Sequence, residues 1–373
     1  MNRFFCIVVM MLLLPVLSWA GGSKDSSTGT GVSLMEAIDL SADRIAEDVG
    51  KYRIAVVAFE TENNALSDFI IAELSGALHD RNIEIVGRQG LNWVMQELDF
   101  QMSGAVSDET MQSLGKFMGA EIIVTGQLRN LGGNYRLTAT AVRVEQLTNA
   151  SLPRFDVRND RAMRNMIAAL GNQSIKTRAA DYGATVDTNP QSAGTFLDRG
   201  IQFAMRGEFD QAIADFTEAL RLNPSLEGAY ILRGRAYIGS ISQVTGIDSN
   251  FGAVTTGGRK PGLSAEQAEQ VYDLAIADFS SAIQTDPKSS VAFRERGRVY
   301  LEKGDNDRAI ADFNEAIRLN PRDTRAYSNR GNAYNYKGDF DRAIADFESA
   351  LRIDPNHAFA RQRLDETRQA RGR

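Results

Sequence analysis

Hydrophobic residues between positions 33 and 170 follow two different spacings. Short continuous apolar runs predict buried strands, and apolar residues that recur every three to four positions predict amphipathic helices. The predicted strands are 53–59, 83–86, 121–128, 135–144 and a short one near Phe155. The predicted helices are 33–49, one that Ser67 caps, 91–100, 108–118 (begun by Ser107) and 159–170. Strands that alternate with helices and end in a hairpin at 131–134 predict an α/β layered domain with a mixed sheet.

The second half of the chain repeats one pattern. The segment AIADF occurs at 212–216, 275–279, 309–313 and 343–347. A glycine precedes every copy and a proline follows it: Gly200, Gly234, Gly297 and Gly331, then Pro224, Pro287, Pro321 and Pro355. The last three copies are 34 residues apart, and the first gap is 63, which is 34 plus an insertion of 29. A 34-residue unit of two helices resembles the tetratricopeptide repeat (TPR), so we expect four such repeats in an all-α solenoid.

Shifts in composition divide the chain into segments. The glycine-rich stretch 239–267 interrupts the second repeat, and it predicts a mobile loop between two helices. Residues 171–192 are polar and weakly patterned, which predicts a linker. The complete division is a signal peptide 1–20, a flexible leader 21–31, an α/β domain 32–170, the linker 171–192, four repeats 193–357 and a C-terminal capping helix 358–373.

The first twenty residues resemble a secretory signal peptide. Arg3 precedes an apolar run to about Leu17, and Ser18 and Ala20 supply the small residues of a cleavage site. The run is too short to span a bilayer comfortably. We therefore expect cleavage near Ala20, export to the periplasm and no transmembrane helix in the mature chain. Cys6 is the only cysteine and lies ahead of the cleavage site, so the mature chain has no thiol for a lipid anchor, a disulfide or a metal.

Candidate chemistry in the mature chain is sparse. The net charge of −6 disfavours a nucleic-acid partner. His79 and His357 have no metal-ligand partner at helical spacing, so we expect surface histidines. The segment 60–64 (ETENN) follows the first strand, where a solvated loop is favoured over a site for a cation or a partner. Without a phosphate-binding loop, a nucleophile elbow or a zinc motif, the sequence predicts no catalytic residues, no cofactor and no metal.

Two sets of residues are candidates for partner binding. One arginine precedes the glycine of each repeat (Arg199, Arg233, Arg296 and Arg330), and we expect these to pair with acids inside the array. The first helix of each repeat lines the concave groove of a TPR array, where arginines, amides and an aromatic ring suit a protein or peptide ligand, extended or acidic. The residues predicted to face the groove are Arg235, Ile238, Arg294, Arg298, Leu301, Asn332, Asn335 and Tyr336.

Five segments of the first domain carry a further resemblance. In order they are IAVVAFE, IIAELSGAL, IEIVGRQGLNWVMQEL, SLGKFMGAEIIVTGQL and YRLTATAVRV. Across residues 54–144 they resemble the periplasmic domain of the curli-secretion protein CsgG, the penicillin-binding-protein activator LpoB and their relatives. The resemblance implies a non-catalytic envelope domain, which forms outer-membrane rings in CsgG-like proteins and reaches a synthase in LpoB-like proteins. This chain lacks the lipidated cysteine of that family.

These observations favour a non-enzymatic scaffold of the cell envelope. The α/β domain would dock on a partner or assemble with itself, and the repeats would recruit another protein. One alternative is an activator of a cell-wall (peptidoglycan) synthase, and another is a component of a CsgG-like secretion or assembly complex; both rest on analogy of fold. An enzyme would need a site built from carboxylates alone, around Glu60 and Glu62.

Overall fold

The computed structural model describes residues 31–49, 52–62, 64–97, 108–145, 149–171, 190–241 and 264–372. Within these ranges, a mixed sheet with helices is followed by an all-helical region of repeated pairs. The predicted fold class, an α/β domain followed by an all-α solenoid, is therefore confirmed. The signal peptide, Ser107, and nearly all of the leader, the linker and the inserted loop lie outside the described residues, and the predictions for them stay predictions.

The sheet of the α/β domain has five strands. They are β1 (Ile54–Glu60), β2 (Ile122–Asn130), β3 (Asn134–Arg143), β4 (Asn149–Ser151) and β5 (Phe155–Arg158). The order is β1-β2-β3-β4, and β5 also pairs with β3. β1 is parallel to β2, whereas the other pairs are antiparallel. The hairpin between β2 and β3 turns at Gly132, whose φ of +88° favours glycine.

Among the described residues, five helices cover the two faces of this sheet. They are α1 (Leu34–Val49), α2 (Asn64–His79), α3 (Arg88–Glu97), α4 (Asp108–Met118) and α5 (Arg161–Gly171). Successive side chains of a strand point to opposite faces. Ile54, Val56 and Val124 therefore pack with α1, α2 and α5 in one core. Ala55 and Ile123 pack with α3 and α4 in a second core on the other face.

Two local predictions in this domain were wrong. Residues 83–86 are not a strand, because the turn after α2 and the start of α3 leave room for only one bridge, between Ile85 and Ile54. Ser67 does not cap α2, which begins at Asn64. Leu66 is fully buried, so packing in the core extends the helix by about one turn on the N-terminal side of Ser67.

The array consists of helix pairs. The first helices of the repeats are α6 (Ala193–Met205), α8 (Glu227–Ile241), α10 (Ser290–Glu302) and α12 (Thr324–Tyr336). The second helices are α7 (Phe209–Leu222), α9 (Ala265–Thr285), α11 (Asn306–Leu319) and α13 (Phe340–Ile353). Helix α14 (Ala358–Arg371) follows in the place of a fifth first helix. Successive first helices contact one another along the array and form its inner, concave side.

The two helices of each repeat pack through a glycine and a phenylalanine. A Cβ atom on Gly297 would lie 2.9 Å from the Phe313 ring, and one on Gly331 would lie 2.9 Å from the Phe347 ring. The four phenylalanines in this position are fully buried: Phe216, Phe279, Phe313 and Phe347. Because these glycines have no side chain, the two helices of a repeat can pack closely together. Burial of such a side chain contributes about 1.5–3 kcal/mol to stability.

Helix α14 closes the array with a polar surface. It carries Arg361 and Arg368 at the positions where α12 carries Tyr327 and Tyr334. Arg368 donates to the carboxylate of Glu348 in α13 at 2.8 Å. Charged side chains in place of aromatic rings let this helix cover α13 while its other face meets solvent.

Candidate protein-interaction surface

The row of four arginines joins helices within and between repeats. Nε and Nη2 of Arg296 donate to the two carboxylate oxygens of Asp312, each at 2.8 Å, and Nη1 donates to Ser280 Oγ of the preceding repeat at 3.1 Å. The equivalent ion pairs are Arg199–Asp215, Arg233–Asp278 and Arg330–Asp346. Arg233 and Arg330 likewise reach the preceding repeat, at Thr217 and Asn314. The predicted pairing inside the array is therefore confirmed.

We call the inner face of α6, α8, α10, α12 and α14 the groove. Three residues predicted to offer side chains there, Ile238, Arg294 and Leu301, are buried. Arg294 donates to Asp323 at 2.7 Å, and Asp323 caps the start of α12 by accepting the backbone N–H of Ala326. These three side chains are therefore not accessible to a ligand, and Arg294 joins the third repeat to the fourth instead.

A single carboxylate organises the middle of the groove. Arg298 contacts Glu295 at 3.2 Å and Glu302 at 3.0 Å. Burial alone would raise the pKa of Glu295, but four guanidinium groups lower it to about 2: Arg298, Arg235, Arg294 and Arg325. Glu295 is thus a fixed negative charge that orders several arginines. Sequence reasoning missed it, although the alternation of charges in RERGR (294–298) was a usable signal.

The accessible part of the groove lies toward its C-terminal end. Tyr336 is 62% exposed at the end of α12, and Asn335 beside it is partly exposed. Asn332 Oδ1 accepts from Arg363 Nε of α14 at 2.9 Å. At this end of the groove, the hydrogen bond between Asn332 and Arg363 therefore fixes one amide and one guanidinium group near the exposed ring of Tyr336.

The N-terminal end of the groove contacts the α/β domain. The Arg53 guanidinium donates to the backbone oxygen of Gly194 at 3.0 Å and to Asp198 at 2.6 Å, and both acceptors lie on α6. It also donates to the backbone oxygen of Met118 and makes an ion pair with Glu84 at 3.1 Å. The Arg53 side chain is only 6% exposed, and burial raises the pKa of Asp198. This arginine therefore joins β1, α4 and the first repeat.

Glu227 lies where α4 meets α8, with 5% of its surface exposed. Burial raises the pKa of this carboxyl group to about 8, Asp286 adds to the effect, and the Ser289 hydroxyl and Lys116 oppose it. A carboxyl group with this pKa is largely protonated at neutral pH. Ionisation of the buried Glu227 as the pH rises toward 8 is therefore expected to lower the stability of the fold at this position.

Replacing Glu227 with glutamine is expected to remove a fall in stability with rising pH. The pKa is raised on folding, so the folded chain binds more protons than the unfolded chain between about pH 4.5 and pH 8. The free energy of unfolding therefore decreases across this window and levels off above it. Urea midpoints of both proteins at pH 6 and pH 8.5 measure the effect. An identical pH dependence in Glu227→Gln would contradict it.

Other candidate residues have local roles. His357 Nδ1 accepts from the backbone N–H of Ala360 at 3.1 Å and caps α14, whereas His79 is exposed at the end of α2. Glu62 accepts from Asn130 Nδ2 at 2.8 Å, and Glu60 is exposed.

The described residues contain no cluster of three or more histidine, cysteine or acidic side chains placed to hold a metal. Among those same ranges, no helix has the length and apolar character needed to cross a bilayer.

Family comparisons match both parts of the chain. The family model "Curli production assembly/transport component CsgG" matches residues 37–144, and the tetratricopeptide-repeat model matches 262–320 and 294–358. The chain joins a CsgG-like domain to a TPR array. Human tetratricopeptide repeat protein 6 is 29% identical over 116 residues, which cover 26% of this chain and 21% of the human protein. The comparison thus spans about a fifth of that relative.

Several solved TPR structures resemble the array. A thermophilic TPR protein from Thermus thermophilus, TTC0263, is 19% identical with a TM-score of 0.41, over 55% of this chain and 95% of that one. MamA is 23% identical with a TM-score of 0.35, over 54% and 99% of the two chains. The second TPR domain of human RPAP3, solved with an HSP70 peptide, is 27% identical with a TM-score of 0.26, over 27% and 83%.

Proposed function

We propose that this protein is a non-enzymatic scaffold of the cell envelope whose TPR groove binds a protein or peptide. The observation that carries the proposal is the accessible end of the groove. There, Tyr336 is exposed while Asn332 and Arg363 are fixed by hydrogen bonding to each other. An exposed aromatic ring near a fixed amide and a fixed guanidinium group has the composition of a protein-binding hot spot.

The envelope location rests on two supports. The first twenty residues have the pattern of a secretory signal peptide, and residues 37–144 match a family described as a curli assembly and transport component. We propose that the mature chain begins at Gly21 and acts in the periplasm. The CsgG-like domain then provides the envelope-associated part of the scaffold, and the array provides the recruiting part.

Photo-cross-linking in living cells tests the proposed groove. With a benzophenone amino acid in place of Tyr336, we expect a specific protein to be captured; the matched control replaces Leu131, which is 51% exposed at the hairpin of the α/β domain. The cross-linked chain is expected to begin at Gly21. Once purified, the captured protein should bind the unmodified chain roughly tenfold more tightly than the double variant Asn335→Ala, Tyr336→Ala.

Two results would contradict this function. One is an identical set of products from positions 336 and 131, because a recruiting groove must differ from an unrelated exposed surface. The other is equal affinity of the captured protein for the unmodified chain and the double variant.

A further inference from the structure

The α/β domain lies against the inner side of the first two repeats. On α6, Asp198 accepts hydrogen bonds from Arg53 at 2.6 Å and from the backbone N–H of Gly87 at 3.3 Å. A Cβ atom on Gly90 of α3 would lie 3.3 Å from Ile201, also on α6. These contacts cover the side of α6 that corresponds to the inner face of the first helices in the later repeats.

The second residue of each first helix distinguishes the repeats that the domain covers. In α6 and α8 this residue is glycine, Gly194 and Gly228. A Cβ atom on Gly194 would overlap the Arg53 guanidinium, and one on Gly228 would overlap the backbone oxygen of Phe117 in α4. The equivalent residues of α10, α12 and α14 are Val291, Arg325 and Phe359. At this position, glycine therefore occurs where the α/β domain approaches, and larger residues replace it in the three helices beyond.

Apolar burial continues across the contact without a break. Phe117 and Met118 of α4 share one buried cluster with Leu197 and Ile201 of α6 and with Leu226, which precedes α8. All five are at most 3% exposed. A shared core of this kind resembles the interior of a domain and not the wetter interfaces of domains that separate readily.

We infer that the α/β domain is the resident occupant of the groove at repeats one and two, and that the groove leaves to an external partner the accessible side chains on the inner face of α10, α12 and α14. The second half of this inference rests on the proposed scaffold function. Partner recognition is then a property of three helices, and the bound partner lies at a fixed position relative to the sheet.

The test is the reactivity of single introduced cysteines toward a maleimide reagent, in the chain beginning at Gly21, which contains no other cysteine. Ile201→Cys reports on the covered end of the groove, and Tyr336→Cys reports on the open end. We expect Ile201→Cys to react at least about 100-fold more slowly, because its exposure requires local opening. Adding Gly228→Leu should speed the reaction of Ile201→Cys at least about tenfold and leave Tyr336→Cys unchanged.

Arg325→Leu is the matched control, since it places the same side chain at the same repeat position away from the α/β domain. It should change neither rate. Arg53→Met is a second variant that removes the polar contact without added bulk, and it should also speed Ile201→Cys. Circular dichroism establishes that each variant keeps its helices.

Two outcomes overturn the inference. One is equal reactivity of Ile201→Cys and Tyr336→Cys in the otherwise unaltered chain. The other is unchanged protection of Ile201→Cys in both Gly228→Leu and Arg53→Met while helix content is retained. The measurement uses no partner, so its failure leaves the scaffold proposal standing, and a failed cross-linking experiment leaves the docked domain standing.

Discussion

Replacing Phe313 with alanine is expected to lower the free energy of unfolding by about 3–5 kcal/mol. The ring is fully buried and packs with Ala309, Leu301 and Ala333, so it joins the third repeat to the first helix of the fourth. Close packing against Gly297 leaves the neighbouring backbone little freedom to fill the cavity.

Urea denaturation followed by circular dichroism measures this effect. Because each repeat of such an array contacts only its neighbours, we expect the transition of Phe313→Ala to split, with the fourth repeat and α14 unfolding at lower urea than the rest. Leu274→Ala is the control, since Leu274 is 47% exposed on α9 and its loss should change stability by less than about 0.5 kcal/mol. A single transition at the original midpoint in Phe313→Ala would contradict the prediction.

Replacing Arg296 with methionine is expected to destabilise the array by about 3 kcal/mol. The substitution leaves Asp312, whose side chain is 9% exposed, without its bidentate partner, and it removes the bond to Ser280 of the preceding repeat. Because Arg296 itself is 21% exposed, the effect should lie at the lower end of the range for buried ion pairs. Stability is read from the urea midpoint at pH 7.

A second substitution separates the lost charge pair from lost packing. Arg296→Met combined with Asp312→Asn should recover part of the stability, because the buried charge is then absent. Arg318→Met is the matched control, since Arg318 pairs with Glu315 on the exposed side of α11, and its midpoint should not change. If Arg296→Met also leaves the midpoint unchanged, the row of arginines does not hold the repeats together.

The periodic part of this molecule follows closely from its sequence. Gly297 and Phe313 recur at a fixed spacing, and one physical requirement, the close approach of two helices, explains both. Arg296 and Asp312 recur with them and form the expected ion pair. Periodic residues are predictable because the same local environment is built four times.

Contacts that occur only once were not predictable in this way. Arg294 was expected to face a ligand, yet it pairs with Asp323. Asp323 is a helix-capping residue 29 positions away, and it is not one of the acids that recur in every repeat. Gly194 and Gly228 gave a usable signal, because side chains replace them in later repeats. The sequence could not show why glycine is required at Gly228, because the reason is a contact with Phe117. Phe117 belongs to the α/β domain and is not part of the repeat pattern.

The composition of α14 determines how this array can change length. At the position of the repeat glycine, α14 carries Asp365. If a second helix were appended after α14, the Asp365 side chain would prevent the close approach that glycine allows in the other repeats. A copy of residues 290–323 inserted before Thr324 meets no such obstacle. In the native chain Arg330 donates to Asn314, and the inserted copy would place an identical asparagine in the helix before Arg330. Lengthening by evolution or by design is therefore expected through duplication inside the array, which would move α14 and the open end of the groove outward by one repeat.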